Sequence, residues 1–406
     1  MKKIDGGVTS AKGFLAAGIY AGIKKKRKDM ALVYSTTPAK GAGTFTTNVV
    51  KAAPVKWDIK LTKESSFVQA VVLNSGVANA CTGPEGDENN YKMAKAVADV
   101  LNIPTEAVYT ASTGVIGKQL PIDVIQEGVK LLSNELQNGM EAGTLAAEAI
   151  MTTDTYSKEC AVSFMAGGKE VTIGGMSKGS GMIHPNMATM LGVVTTDLAI
   201  SKELLQEALS ENVKHTFNMI SVDRDTSTND SLIILANGQA GNEEIADKSE
   251  DYKNFCEALN IVTTDLAKKM AADGEGASKL FEAQVIGAGT EEEAIQLSKS
   301  IITSNLVKTA VFGNDANWGR ILCAMGYSGV NFDPDKVDLY IESVDGKLKL
   351  VENGMATDYS EKTATKILSA KEVKATADLK AGNAAATAWG CDLSYDYVKI
   401  NADYRS

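Results

Sequence analysis

The sequence predicts a mixed α/β protein in two lobes, with sheets covered by helices. Three observations carry that expectation. The chain has 406 residues, more than one hydrophobic core usually serves. Its apolar share is 44% against 23% charged, ample material for a core. Short apolar runs bounded by Gly, Asn, Asp or Ser alternate with segments of helical period, and no short repeat or low-complexity linker breaks them.

Strands are predicted at Ala31–Tyr34, Ala70–Leu73, Ala107–Ala111, Glu170–Ile173, Leu232–Ala236, Thr309–Phe312 and Asp338–Ile341. Between them, Pro121 stands where a first-turn proline is tolerated, and Ile125, Val129, Leu132 and Leu136 follow at helical spacing. Thr290 and Glu293 form a capping box ahead of Ile295 and Ile302. Further helices are predicted near Tyr91–Leu101, Lys202–Phe217 and Lys253–Ala272. The run Lys24-Lys25-Lys26-Arg27-Lys28 reads as a solvated turn between strands, with attraction of anionic substrates as the other reading.

Composition removes several function classes. A net charge of −10 argues against nucleic acid or anionic membrane as a partner. The N-terminus has no apolar segment of signal-peptide type, and no run of about 18 apolar residues exists to span a bilayer. Five scattered cysteines with no CxxC spacing fit free thiols in a reducing cytoplasm. The two histidines, His184 and His215, sit in no metal-ligand pattern, so no metal is expected. The acidic stretch from Asp223 to Asp230 lacks the glycine and glutamate of a calcium loop, Thr228 and Ile234 standing in their places. Chemistry must come from hydroxyls, amines, backbone amides and carboxylates.

The segment richest in such groups is Lys178-Gly179-Ser180-Gly181-Met182-Ile183-His184-Pro185-Asn186-Met187-Ala188-Thr189-Met190-Leu191-Gly192. It is neither a phosphate cradle nor a dinucleotide fingerprint, and glycine-rich loops also serve as plain connections. An Ala-Thr pair near mid-chain adds a specific chemistry. A threonine hydroxyl needs a base beside it, and an N-terminal threonine has one in its own α-amine, whose reference pKa is about 7.7–8.0. An internal Thr189 must first be liberated, by attack of its hydroxyl on the Ala188 carbonyl and hydrolysis of the resulting ester. A small residue at 188 leaves that carbonyl open to approach.

The string KGSGMIHPNMATML resembles the self-cleavage segment of the ornithine acetyltransferase (glutamate N-acetyltransferase) family. Further segments resemble it in order along the chain: Asn74-Ser75-Gly76-Val77-Ala78-Asn79-Ala80-Cys81-Thr82-Gly83, Ser112-Thr113-Gly114-Val115-Ile116-Gly117, Thr152-Thr153-Asp154-Thr155, Asp273-Gly274-Glu275-Gly276-Ala277, Asn314-Asp315-Ala316-Asn317-Trp318-Gly319-Arg320 and Asn401-Ala402-Asp403-Tyr404-Arg405-Ser406. Two departures stand out. Val77 replaces a usual asparagine, and Arg224 interrupts what is commonly an Asp-Gly-Asp run.

The resemblance implies an αββα sandwich of the N-terminal-nucleophile type, cut into an α chain (1–188) and a β chain (189–406) that stay together, commonly as an α2β2 heterotetramer in the cytoplasm. It implies that Thr189 takes the acetyl group of N2-acetylornithine and passes it to glutamate. Thr113 and the amide of Gly114 would hold the oxyanion; losing one such donor typically removes roughly 2.7–4 kcal/mol of barrier stabilisation. Thr152, Lys178, Thr189, Glu275, Asn401 and Ser406 would bind substrate, with Thr155 an alternative to Thr152. A cationic side chain calls for a carboxylate such as Glu275, and an α-carboxylate for donors such as Lys178, Thr152 and Asn401. No cofactor is implied, and acetyl-CoA stays open as a second donor substrate. His184 is read as structural or as an aid to processing, and Trp318 and Arg320 as packing and pairing.

Two rivals remain at this point: a self-processing amidase or aminopeptidase of related fold, and an uncleaved metabolite-binding protein. Denaturing mass spectrometry of the purified chain should show fragments 1–188 and 189–406, with only intact chain for Thr189→Ala. An intact, folded wild type would overturn the N-terminal threonine mechanism.

Overall fold

In the computed structural model, residues 1–184 and 190–402 are described, and they divide into two compact units. The first comprises Met1–Gly179, residues 190–218 and Thr226–Leu266; the second comprises Ser180–His184, Met219–Asp225 and residues 267–402. The predicted chain boundary at Ala188–Thr189 lies outside the described residues, and the first unit draws on residues from both sides of it.

The first eight strands are β1 (Lys2–Ile4), β2 (Phe14–Ile19), β3 (Met30–Phe45), β4 (Val68–Val77), β5 (Val108–Val115), β6 (Lys158–Ala166), β7 (Lys169–Lys178) and β8 (Leu191–Thr196). The two-residue β9 (Ile220–Ser221) belongs to the second unit, and β10 (Ser231–Ala236) completes the first. Their order is β1-β6-β7-β8-β10-β3-β4-β5, with β2 also paired to β3.

The 16-residue β3 determines this architecture. Its first half, Met30–Tyr34, pairs with β2 and β4, while Lys40–Phe45 pairs with β10. One strand thus serves two sheets that lie face to face. Their shared core contains Ala31, Val33, Val71 and Leu73 from one sheet and Met176, Val193, Ile233 and Leu235 from the other. Alternation turns the intervening residues outward. Met30, Leu32, Ala70 and Val72 pack against Met93 and Val97 of α2 (Gly83–Leu101) and Ile125 and Val129 of α3 (Ile122–Asn134). Beyond the other sheet, a Cβ at Gly175 would lie 3.1 Å from Leu266 of α6 (Glu250–Ala272), and Phe164 meets Phe255 with ring centroids 6.5 Å apart. The layers run helix, sheet, sheet, helix, as the resemblance implies.

Helices in this unit are α1 (Ala53–Glu64), α2 (Gly83–Leu101), α3 (Ile122–Asn134), α4 (Met140–Ala149), α5 (Lys202–His215) and most of α6 (Glu250–Ala272). The predicted periods at Ile125, Val129 and Leu132 and at Lys202 hold. Pro121, however, is the N-cap of α3 rather than a first-turn residue, and α2 begins at Gly83, well before Tyr91. Ala107 lies in a single 3₁₀ turn that precedes β5.

The second unit is built on a seven-stranded sheet. Its strands are β9, β11 (Leu280–Ala288), β12 (Asp338–Ser343), β13 (Gly346–Glu352), β14 (Met355–Ala356), β15 (Glu372–Asp378) and β16 (Ala384–Cys391), ordered β14-β13-β12-β15-β11-β16-β9. With them go α7 (Glu291–Thr303), α8 (Asn305–Phe312), α9 (Trp318–Gly326), α10 (Glu361–Leu368) and α11 (Tyr395–Ala402). The Thr290–Glu293 capping box is present at α7. Thr309–Phe312, predicted as a strand, is the second half of α8. Ser304 caps that helix by accepting from the Val307 amide, a tertiary and capping cue that a four-residue apolar run does not display.

Among the described residues, no helix is long and apolar enough to cross a membrane, no disulfide forms, and no cluster suits a metal ion. At Gly18 in β2, an added Cβ would fall 1.9 Å from the Leu145 carbonyl oxygen of α4. Gly18→Ala must therefore push α4 off the sheet, and a loss of about 1–3 kcal/mol is expected in urea unfolding. An unchanged midpoint would contradict this close approach.

Candidate active site

In the first unit the oxyanion-hole candidates sit at the end of β5, beside β4. Gly76 and Gly114 are partners across this parallel pair, and Gly114 has φ 132°. A Cβ on Gly114 would be 2.3 Å from the Gly76 carbonyl carbon, so only glycine fits. The preceding Thr113 is half-buried, and its hydroxyl makes no hydrogen bond among the described residues.

The surrounding signature residues form a polar frame. Ser112 Oγ donates to Asn74 Oδ1 at 2.6 Å, and Asn74 Nδ2 donates to the Val77 carbonyl at 2.9 Å. Asn229 Nδ2 donates to the carbonyls of Ala78 and Ser112 at 2.6 and 2.8 Å. Asn74, Ser75 and Ser112 are fully buried, so each needs these partners. Much of what makes the sequence recognisable here is thus scaffold for Thr113 and Gly114.

A second cluster joins Thr152, Asp154, Lys158 and Lys178. Asp154 Oδ1 accepts from Lys158 Nζ at 2.7 Å and from the Gly179 amide at 2.7 Å, while Oδ2 accepts from the Thr152 amide at 3.0 Å. Burial alone would raise the Asp154 pKa, but the Lys178 and Lys158 cations and these donors hold it well below the usual range. Lys178 is 7% exposed, yet its ammonium makes no hydrogen bond among the described residues. A buried cation in that state is suited to an anionic ligand. Thr155 is exposed, whereas Thr152 is half-buried on this cluster, which favours Thr152 of the two.

Asp230, read from the sequence only as the end of a rejected calcium loop, is fully buried beside β8. The Ser231 amide donates to the Met190 carbonyl at 2.8 Å, and burial pushes the Asp230 carboxyl well above its ordinary pKa. Ala188, Thr189 and Ser406 lie outside the described residues.

In the second unit Glu275 is 6% exposed and accepts at Oε2 from Asn401 Nδ2 at 2.7 Å. Its amide donates to the Ser180 carbonyl at 2.9 Å, and a Cβ at Gly181 would be 2.3 Å from the Glu275 carboxyl carbon. The glycines of the KGSG segment therefore make room for this carboxylate. Asp223 accepts from the Met182 and Ile183 amides at 2.7 and 2.9 Å, fixing the next two residues. His184 Nδ1 lies 3.1 Å from Ser221 Oγ. Burial, reinforced by Lys299 and Arg224, lowers the His184 pKa to about 4, so the ring is neutral at neutral pH. Arg320 donates to the Leu306 carbonyl at 2.9 Å and Asn317 caps α9, so the NDANWGR segment holds helices together.

Comparison with known proteins decides the affiliation. The profile of the ArgJ family matches residues 15–406. The chain belongs to the ArgJ family. It is an acyltransferase of arginine biosynthesis. It is 51% identical over 406 residues to the arginine biosynthesis bifunctional protein ArgJ of Caldanaerobacter subterraneus subsp. tengcongensis, covering 100% of both chains. The protein of the same name from Symbiobacterium thermophilum is 52% identical over 409 residues, again covering 100% of each. A crystal structure of arginine biosynthesis bifunctional protein ArgJ from Bacillus halodurans is 47% identical, with TM-score 0.50, covering 52% of this chain and 97% of that one.

Both departures from the family pattern have a structural reading. Val77 packs in the apolar layer under α2 and α3, and only its carbonyl engages Asn74. Arg224 has φ 71°, the left-handed conformation that a glycine in an Asp-Gly-Asp run adopts without strain.

Removing Lys158 strands the Asp154 carboxylate in the interior. Lys158→Met is expected to lower unfolding stability by about 3–5 kcal/mol. Urea denaturation of the purified variant measures it, and a loss under about 1 kcal/mol would show that the pair is not a structural tie.

Proposed function

We propose that the chain cuts itself before Thr189 and uses the freed threonine to carry acetyl from N2-acetylornithine to glutamate. The observation that carries the reading, within an ArgJ-family chain, is the Thr113 hydroxyl, unengaged among the described residues, beside a position that only glycine can occupy. It meets the requirement of a preorganised oxyanion site. Thr189 Oγ attacks the acetyl carbonyl while its α-amine takes the hydroxyl proton. The tetrahedral oxyanion accepts hydrogen bonds from Thr113 and the Gly114 amide. Ornithine departs with that proton, and the glutamate amine then attacks the Thr189 ester, regenerating the hydroxyl.

Lys178 and Thr152 would bind the substrate carboxylate and Glu275, positioned by Asn401, the ornithine ammonium, with Ser406 a further substrate-binding residue. The transfer exchanges one amide for another and needs no cofactor. Acetyl-CoA is a second acetyl donor in this reading, in keeping with relatives named as bifunctional. The products of cleavage are read as an α chain (1–188) and a β chain (189–406) forming a cytoplasmic α2β2 heterotetramer. In support, the Bacillus halodurans crystal structure contains a chain about half as long as this one.

Mixing the purified protein with N2-acetylornithine should release ornithine in a burst and leave one acetyl group on the 189–406 fragment. Glutamate should discharge it. Thr113→Ala should lower kcat by about 10²–10³-fold. Acetate release at the same rate without glutamate would identify a hydrolase instead.

A further inference from the structure

Lys24 belongs to the basic run that sequence reasoning takes for a solvated turn, and the bend between β2 and β3 is where it lies. Lys25, Lys26 and Arg27 are exposed, but Lys24 is half-buried. The Asp29 carboxylate accepts from the amides of Ala21, Gly22 and Lys24 at 2.7, 3.1 and 2.9 Å, which fixes the bend. The Lys24 stem crosses Gly76, where an added Cβ would be 3.0 Å from Lys24 Cγ. Gly76 is the partner of Gly114. At its other end, Lys24 Nζ donates to the Met151 carbonyl at 2.9 Å, immediately before Thr152. The side chain therefore runs from the oxyanion-hole candidate to the substrate-binding candidates, within one unit.

Charge at this place is unbalanced. Asp154 is taken up by Lys158 and two backbone amides, and Asp29 by three. Lys24 and Lys178 remain, both within electrostatic reach of Asp154, and Lys178 also of Asp230, whose carboxyl burial pushes toward its neutral form. An ammonium has three donors, and among the described residues only one of Lys24's is used. Lys178 uses none among the described residues. N2-acetylornithine brings one carboxylate to such a pair of cations, whereas glutamate brings two.

We propose that Lys24 binds the side-chain carboxylate of the acceptor, and with Lys178 forms a two-cation receptor that selects glutamate in the second half-reaction. The proposal rests on the acetyl-transfer reading above. Burial lowers the Lys24 pKa to about 8, against the opposing pull of Asp29 and Asp154 and with the push of Arg27 and Lys178. Its charge, and with it the affinity for glutamate, is therefore lost as pH rises through about 8.

The test forms the acetyl-enzyme with N2-acetylornithine and compares glutamate with glutamine as acceptors. In Lys24→Met, kcat/KM for glutamate should fall by roughly tenfold or more, while glutamine and acetyl-enzyme formation change by less than about threefold. Lys24→Arg should restore glutamate selectivity and remove the part of the rise in glutamate KM that wild type shows above pH of about 8. Equal losses for both acceptors and the donor, or an unchanged glutamate-to-glutamine ratio, would overturn the assignment. A wild type that acetylates itself but discharges to neither acceptor would overturn the transfer reading, and this assignment with it.

Discussion

The first unit's chemistry hangs on one buried carboxylate. Asp154 is 2% exposed, and an isolated anion there would be expensive enough to take up a proton. It remains charged because three distinct stretches of chain supply donors: the loop carrying Thr152, the start of β6 carrying Lys158, and Gly179 at the end of β7. Satisfying that charge fixes where the glycine-rich segment begins. It also occupies a carboxylate that would otherwise neutralise Lys178. A single electrostatic requirement thus positions the start of the glycine-rich segment and leaves a cation suited to an anionic ligand.

Glycine plays the complementary steric part. At Gly114 the neighbouring backbone is too close for any Cβ, and at Gly181 the Glu275 carboxylate occupies that space. These positions carry no reactive group, yet they set how near the reactive groups can come.

The strands and helices with strong period were legible in the sequence: Val71 and Leu73 on one face, Ile125 and Val129 on the other, and the Thr290 capping box. What local pattern could not show was the dual pairing of β3, because pairing partners are a long-range property. Nor could it tell the apolar run ending α8 from a strand. The chemical segments were legible as motifs, chiefly because burial restricts their polar residues to specific partners. Lys24 and Asp230 were hidden for opposite reasons. Lys24 sits in a run whose other members are solvated, and Asp230 follows Asn229 in a stretch that resembled an imperfect calcium loop. Environment, rather than residue type, separates each from its neighbours.

The strand order of the first unit bears on what the proposed cut before Thr189 would do to the protein. β8 and β10 come after Thr189 in sequence, yet they lie between β7 and β3, which come before it. Severed there, the two polypeptides share one continuous hydrogen-bonded ladder, and neither can leave without tearing it open on both sides. Before cleavage, refolding is a unimolecular search. Afterwards it is an encounter between two chains, slower as they are diluted, and each fragment alone exposes unpaired strand edges. The cleavage proposed above would therefore leave the two-chain fold guarded by its unfolding barrier, so that its lifetime would be a matter of rate rather than of equilibrium.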